Sequence, residues 1–188
     1  FSSLDSIFQL QDSTLQKIWE IENNSLSTTN ILTSPNWFYL ISDSGLIKCY
    51  DFSGKEKWTT EVLGVTSNNS VLYKDLVLTA TVQGDLYSIN SNNGEVLQVV
   101  GIGEDITSDL GIIEISTAAS KTIGVVLGTS NGNIFCYDAF TFELLWEKNI
   151  CKNPILSTPL VANDKVIFLS SNSSLYCINS KSGSLIWK

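Results

Sequence analysis

Short runs of apolar residues, alternating with polar ones and rarely longer than six, recur along the whole chain. This alternation predicts β-strands, and no stretch carries the 3.6-residue period of an amphipathic helix. Aligning the chain with itself exposes one repeated pattern. A small residue opens a strand that ends in Asp or Asn, a short turn follows, and a second strand closes on Trp. Its copies begin at Asp5, Gly45, Gly84, Gly132 and Ser173 and end at Trp19, Trp58, Gln98, Trp146 and Trp187. The starts are spaced by roughly 40 residues, with one interval nearer 48, a period that points to propeller blades.

Upstream of the last four copies, the pairs Ser34-Pro35, Asn69-Ser70, Thr117-Ala118 and Thr158-Pro159 each read as introducing two further apolar strands. Each unit is therefore expected to be a four-stranded antiparallel sheet. In the clearest copy the strands are expected over Ile155–Val161, Val166–Ser170, Ser174–Asn179 and Ser184–Lys188. Such sheets bury their faces only by stacking on neighbours. The predicted fold is all-β, a single partial propeller domain over 1–188. It divides into a half blade at 1–19 and four blades at 28–60, 62–100, 112–148 and 154–188. Four blades and a half suggest a fragment of a larger ring, with open ends that meet missing blades or another chain.

Composition narrows the chemistry. The 188 residues contain no His, so a Ser-His-Asp triad, a Cys-His pair and an HExxH zinc site are excluded. The net charge of −8 argues against tracking nucleic-acid phosphates. No run approaches the ~20 apolar residues of a membrane-spanning helix, so membrane insertion is not expected. There is no CxxC pair, no Walker motif and no dinucleotide fingerprint.

The run Cys177-Ile178-Asn179 through Gly183 to Trp187 resembles the tryptophan-docking repeat of PQQ-like propellers, AxDxxTGxxxW. Other copies match at Cys49, Asp51, Gly54 and Trp58; at Ser88, Asn90, Gly94 and Gln98; and at Cys136, Asp138, Phe142 and Trp146. Two departures stand out: Gln98 replaces a Trp, and Phe142 replaces the turn Gly. The resemblance implies that Trp19, Trp58, Trp146 and Trp187 dock on the turn Gly of an adjoining blade, with Gly54, Gly94 and Gly183 receiving them. Asp51, Asn90, Asp138 and Asn179 are expected to cap the inter-strand turns.

Three cysteines (Cys49, Cys136 and Cys177) share the small buried position of the repeat and read as free packing thiols; Cys151 lies on a connection. Buried free thiols favour a reducing compartment, and the sequons at Asn23, Asn68 and Asn172 are expected in a chain so rich in Asn and Ser. The acidic connection with Glu104, Asp105 and Asp109 is a candidate interaction loop, its bland alternative a solvated loop.

No catalytic residue, metal site or cofactor is expected in this segment. Quinoprotein dehydrogenases of the same fold hold PQQ with a vicinal disulfide, which this chain lacks. The expected function is a non-catalytic scaffold that binds protein. One setting is a cytoplasmic acyl-adenylating enzyme, since the Cys-containing repeat looks like the C-terminal propeller of beta-alanine-activating enzymes. The alternatives are a periplasmic scaffold of outer-membrane assembly, a stress-sensor lumenal domain and, last, a dehydrogenase fragment.

Overall fold

In a computed structural model the described residues are 6–10, 17–22, 28–66, 70–116 and 121–188, the side chains being described from Glu20 to Ile21 and from Ile31 onward. They form a two-stranded hairpin and four four-stranded antiparallel sheets, with no helix among them. The hairpin pairs β1 (Ser6–Leu10) with β2 (Lys17–Glu22). The first full blade comprises β3 (Thr28–Thr33), β4 (Trp37–Ser42), β5 (Leu46–Asp51) and β6 (Glu56–Glu61). The second comprises β7 (Val71–Tyr73), β8 (Leu76–Ala80), β9 (Asp85–Asn90) and β10 (Val96–Gly101). In the third are β11 (Gly111–Ser116), β12 (Lys121–Gly128), β13 (Asn133–Asp138) and β14 (Leu144–Asn149). The fourth holds β15 (Leu160–Ala162), β16 (Lys165–Leu169), β17 (Leu175–Asn179) and β18 (Leu185–Trp187).

Within each blade the strands pair in chain order, and the first strand lies innermost. Inner strands of successive blades approach one another, β3 to β7, β7 to β11 and β11 to β15, the packing of propeller blades about an axis.

Apolar residues fill the seams. Along β4, Tyr39 and Ile41 join the seam with the second blade, while Phe38 and Leu40 face Ile21 of the hairpin. Along β8, Leu76, Leu78 and Ala80 face the third blade and Val77 the first. On β13, Phe135 and Tyr137 face the second blade, Ile134 and Cys136 the fourth. Both faces of a middle blade are therefore covered, and its central strands are buried almost throughout instead of alternating.

The inner strands depart from the expected layout. Thr117-Ala118 falls outside the described residues, and β11 ends before it at Ser116, so the inner strand precedes that pair. Ser34-Pro35 likewise follows β3 and forms the turn into β4, where the Ser34 hydroxyl oxygen accepts from Trp37 N at 3.1 Å. In the fourth blade β15 begins only at Leu160. Pro159 has no N–H to give the ladder, and Ile155 keeps just an isolated bridge to Ser170.

Candidate functional site: the blade seams and their turns

The outer hairpins carry the repeated residues in one geometry. The Oδ1 of Asp51 accepts from the N–H of Ser53 at 2.9 Å, and that of Asn90 from Asn92 at 2.9 Å. Asp138 accepts likewise from Phe140 at 2.8 Å, and Asn179 from Lys181 at 3.0 Å. A side-chain oxygen two residues ahead of a free N–H closes the turn locally, which is why Asp and Asn suit this place. Hydrogen bonds from the Ser53 hydroxyl first, then from Lys55 and Lys57, hold the Asp51 carboxyl well below the usual carboxylate range. Each turn then passes through a left-handed residue: Gly54 (φ 83°), Gly94 (φ 77°), Phe142 (φ 57°) and Gly183 (φ 67°).

A bulge follows in every outer hairpin. Cys49 faces Trp58, Ser88 faces Gln98, Cys136 faces Trp146 and Cys177 faces Trp187, and in each the register slips next to that pair. Such a bulge re-aims the side chain beside it. Here it turns the indole toward the next blade. Trp58 Nε1 donates to Ser91 O at 3.0 Å, and Trp146 Nε1 donates to Ser180 O at 3.0 Å. A Cβ added at Gly94 would lie 2.6 Å from the Trp58 ring, and one at Gly183 would lie 2.6 Å from the Trp146 ring. Glycine at these turns thus serves both the left-handed backbone and the close approach of the indole.

Trp146 is only 8% exposed, whereas Trp187 is 42% exposed on the outer face of the fourth blade. Trp19 aligns with Gln9 across the first hairpin, but its side chain lies outside the described residues.

The seam between the second and third blades is built differently. Gln98 is exposed, and the aromatic ring comes from the opposite side: Phe142, 7% exposed, joins Leu76, Leu78 and Leu86 of the second blade in one cluster. The two departures from the repeat are therefore one feature, a large residue exchanged across the seam.

The acidic connection ties blades together. Glu104 accepts from the Thr129 hydroxyl at 2.5 Å and from the Asn133 amide at 2.6 Å, both on the third blade. Asp109 accepts from the Thr158 hydroxyl, ahead of the fourth. The Asp105 backbone carbonyl takes Ser130 N–H at 2.9 Å while its side chain stays exposed. The three carboxylates do not converge, and among the described residues no group of three His, Cys, Asp or Glu side chains is placed to hold a metal ion.

All four cysteines are free and buried. Burial pushes the Cys49 thiol up to about 11 and the Cys136 thiol up to about 12, so both are poor nucleophiles. Cys151 Sγ donates to Asn153 O at 3.2 Å. Cys49 lies in the seam of the first and second blades, and Cys136 and Cys151 lie in that of the third and fourth, so burial by itself accounts for free thiols in either compartment. Of the sequons, Asn23 and Asn68 lie outside the described residues. Asn172 uses its side chain in a turn, accepting from Ser174 N at 3.0 Å.

Against known proteins, residues 107–188 match the family model described as outer membrane protein assembly factor BamB. The assembly factor BamB of Yersinia pestis is 22% identical over 177 residues, covering 88% of this chain and 44% of that protein. The chain thus spans less than half the length of that relative. Among solved structures, BamB from Moraxella catarrhalis superposes with a TM-score of 0.73 at 17% identity, over 92% of this chain and 56% of that one. Sqt1 of Saccharomyces cerevisiae superposes at 0.77 with 15% identity, over 97% of this chain and 55% of that one. The sequence and structural likenesses agree on a propeller with PQQ-like repeats.

Proposed function

We propose that this chain is part of a non-catalytic propeller on which other proteins assemble, in the setting of outer-membrane protein assembly. The observation that carries the reading is its likeness to an outer-membrane assembly factor along most of its length. The geometry is compatible with it. The repeated polar residues close turns, the tryptophans join blades, and Glu104 and Asp109 brace the seams, which leaves rims and edges as the surfaces a partner would meet. A cytoplasmic setting within an acyl-adenylating enzyme would also account for free thiols, but their burial gives a reason for that state that needs no reducing compartment.

In-cell photocrosslinking tests the reading, with the crosslinker placed in the full-length protein at exposed Phe140 and Leu156. Recovery of outer-membrane assembly proteins from the envelope fraction is the expected result. Recovery of an adenylation or carrier domain from the soluble fraction would move the protein to the enzyme setting. Oxidation of alcohols by the purified protein supplied with quinone cofactor would overturn the non-catalytic reading.

A further inference from the structure

The outer edges of the blades are not alike. A strand with one neighbour presents a row of unpaired backbone groups, and proteins protect such edges with charge. On the first blade, β6 carries Glu56, Lys57 and Glu61; on the third, β14 carries Glu147 and Lys148; on the fourth, β18 is three residues long and followed by Lys188. On the second, β10 reads VLQVVG, and no charge occurs from Val96 through Gly103. Among the described residues it pairs with β9 alone. Gln98 stands where the other full blades carry their docking Trp, so no indole of its own strand lies along this edge.

The surroundings of β10 continue its character. Val99, 52% exposed, lies opposite Tyr87, whose hydroxyl donates to Leu63 O at 3.3 Å. That bond fixes the connector Leu63–Val65 on the first-blade side of the sheet, the side that Tyr87 and Val99 share, with Leu63 80% exposed and Val65 exposed as well. The strand therefore runs next to a second apolar strip. Its ends are acidic: Glu95 precedes the strand, and Asp85 pairs with Gly101 at its close.

We infer that the edge of β10 receives an extended segment of a partner protein as a fifth strand, with an uncharged, alternately apolar middle and basic ends. Its backbone pairs with Gln98–Gly101, beyond the bulge at Leu97. Its apolar side chains lie over Val99 and Leu63, and its basic ends meet Glu95 and Asp85. Backbone bonds supply affinity in this mode, and alternate side chains supply selectivity. The inference rests on the scaffold reading and names the chemistry that one of its surfaces recognises.

The test is fluorescence anisotropy of the whole chain with a labelled synthetic peptide, alternating valine and threonine and ending in lysine at both termini. Wild-type protein is expected to bind it saturably. Val99→Lys should weaken binding about tenfold, or ~1.4 kcal/mol, with an unchanged melting curve. Leu144→Lys, on the outer strand of the third blade, should bind as wild type. Alternate N-methylation of the peptide backbone should abolish binding, and bound peptide should slow amide exchange across 98–101.

Absence of saturable binding overturns the inference, as does equal binding of the N-methylated peptide or full retention by Val99→Lys. A wild-type dimer dissociated by Val99→Lys also overturns it, and assigns the edge to a second copy. If the peptide fails while crosslinking still recovers assembly proteins, this inference falls and the scaffold reading stands; loss of both removes the two together.

Discussion

Phe142 holds a backbone angle that bulky residues avoid, at a cost of about 1–2 kcal/mol, and its buried ring accounts for why the position persists. Replacing it with Gly relieves that strain and empties a site worth about 3–5 kcal/mol, so Phe142→Gly should lose about 2 kcal/mol overall. Gln98→Trp alone should also destabilise, by about 1–3 kcal/mol, because its indole meets a seam already filled. Together the two changes rebuild the arrangement of the neighbouring seams. The double variant should therefore recover at least about 1 kcal/mol relative to the sum of the singles. Urea unfolding followed by circular dichroism measures this cycle, and strict additivity would refute the exchange of residues across the seam.

Elements differ in how far their docking tryptophans are enclosed. Trp146 is buried against Gly183, Trp58 is half-buried against Gly94, and Trp187 lies largely open on the fourth blade. Truncation to Ala should cost about 3–5 kcal/mol at Trp146, less at Trp58, and under about 1 kcal/mol at Trp187 in the isolated chain. Thermal melts of the three variants check the order, and equal losses would mean that the indoles act within their own blades. Outer hairpins were readable in advance because a polar cap, a left-handed turn and a bulge each need particular residues at fixed spacing. Inner strands were not. Val77 and Leu78 face opposite seams and both are apolar, so alternation vanishes where burial is two-sided. The pair Thr117-Ala118 consequently misplaced the strand that ends at Ser116. The role of Phe142 was hidden for another reason, since its partner surface belongs to a different blade.

Across the whole molecule, two of the thiols sit in different seams, Cys49 between the first and second blades and Cys136 between the third and fourth. Their folded-state values, about 11 and about 12, lie above the ordinary 9.0. Below pH 9 both states keep the proton and the full contribution to stability is present. Above it the unfolded chain loses protons first, so stability declines as pH rises from 9 through 11 to 12. Tyr50, pushed up to about 12 by burial and then by Glu56, adds to the decline above pH 10. Urea midpoints should therefore fall steeply over this range, and Cys136→Ala should flatten the slope; a pH-independent midpoint would contradict the burial of these groups.

Among the described residues the bonds that join blades connect neighbours in the chain: Trp58 to Ser91, Trp146 to Ser180, and Asp109 to Thr158, 49 residues apart. Closing loops of this length adds little entropy cost from one seam to the next. A newly synthesised blade needs only its successor, not the far end of the chain, to complete its seam. Assembly can thus advance with translation, each indole docking as the following hairpin leaves the ribosome, and a stalled ribosome would display a row of finished blades behind one waiting tryptophan.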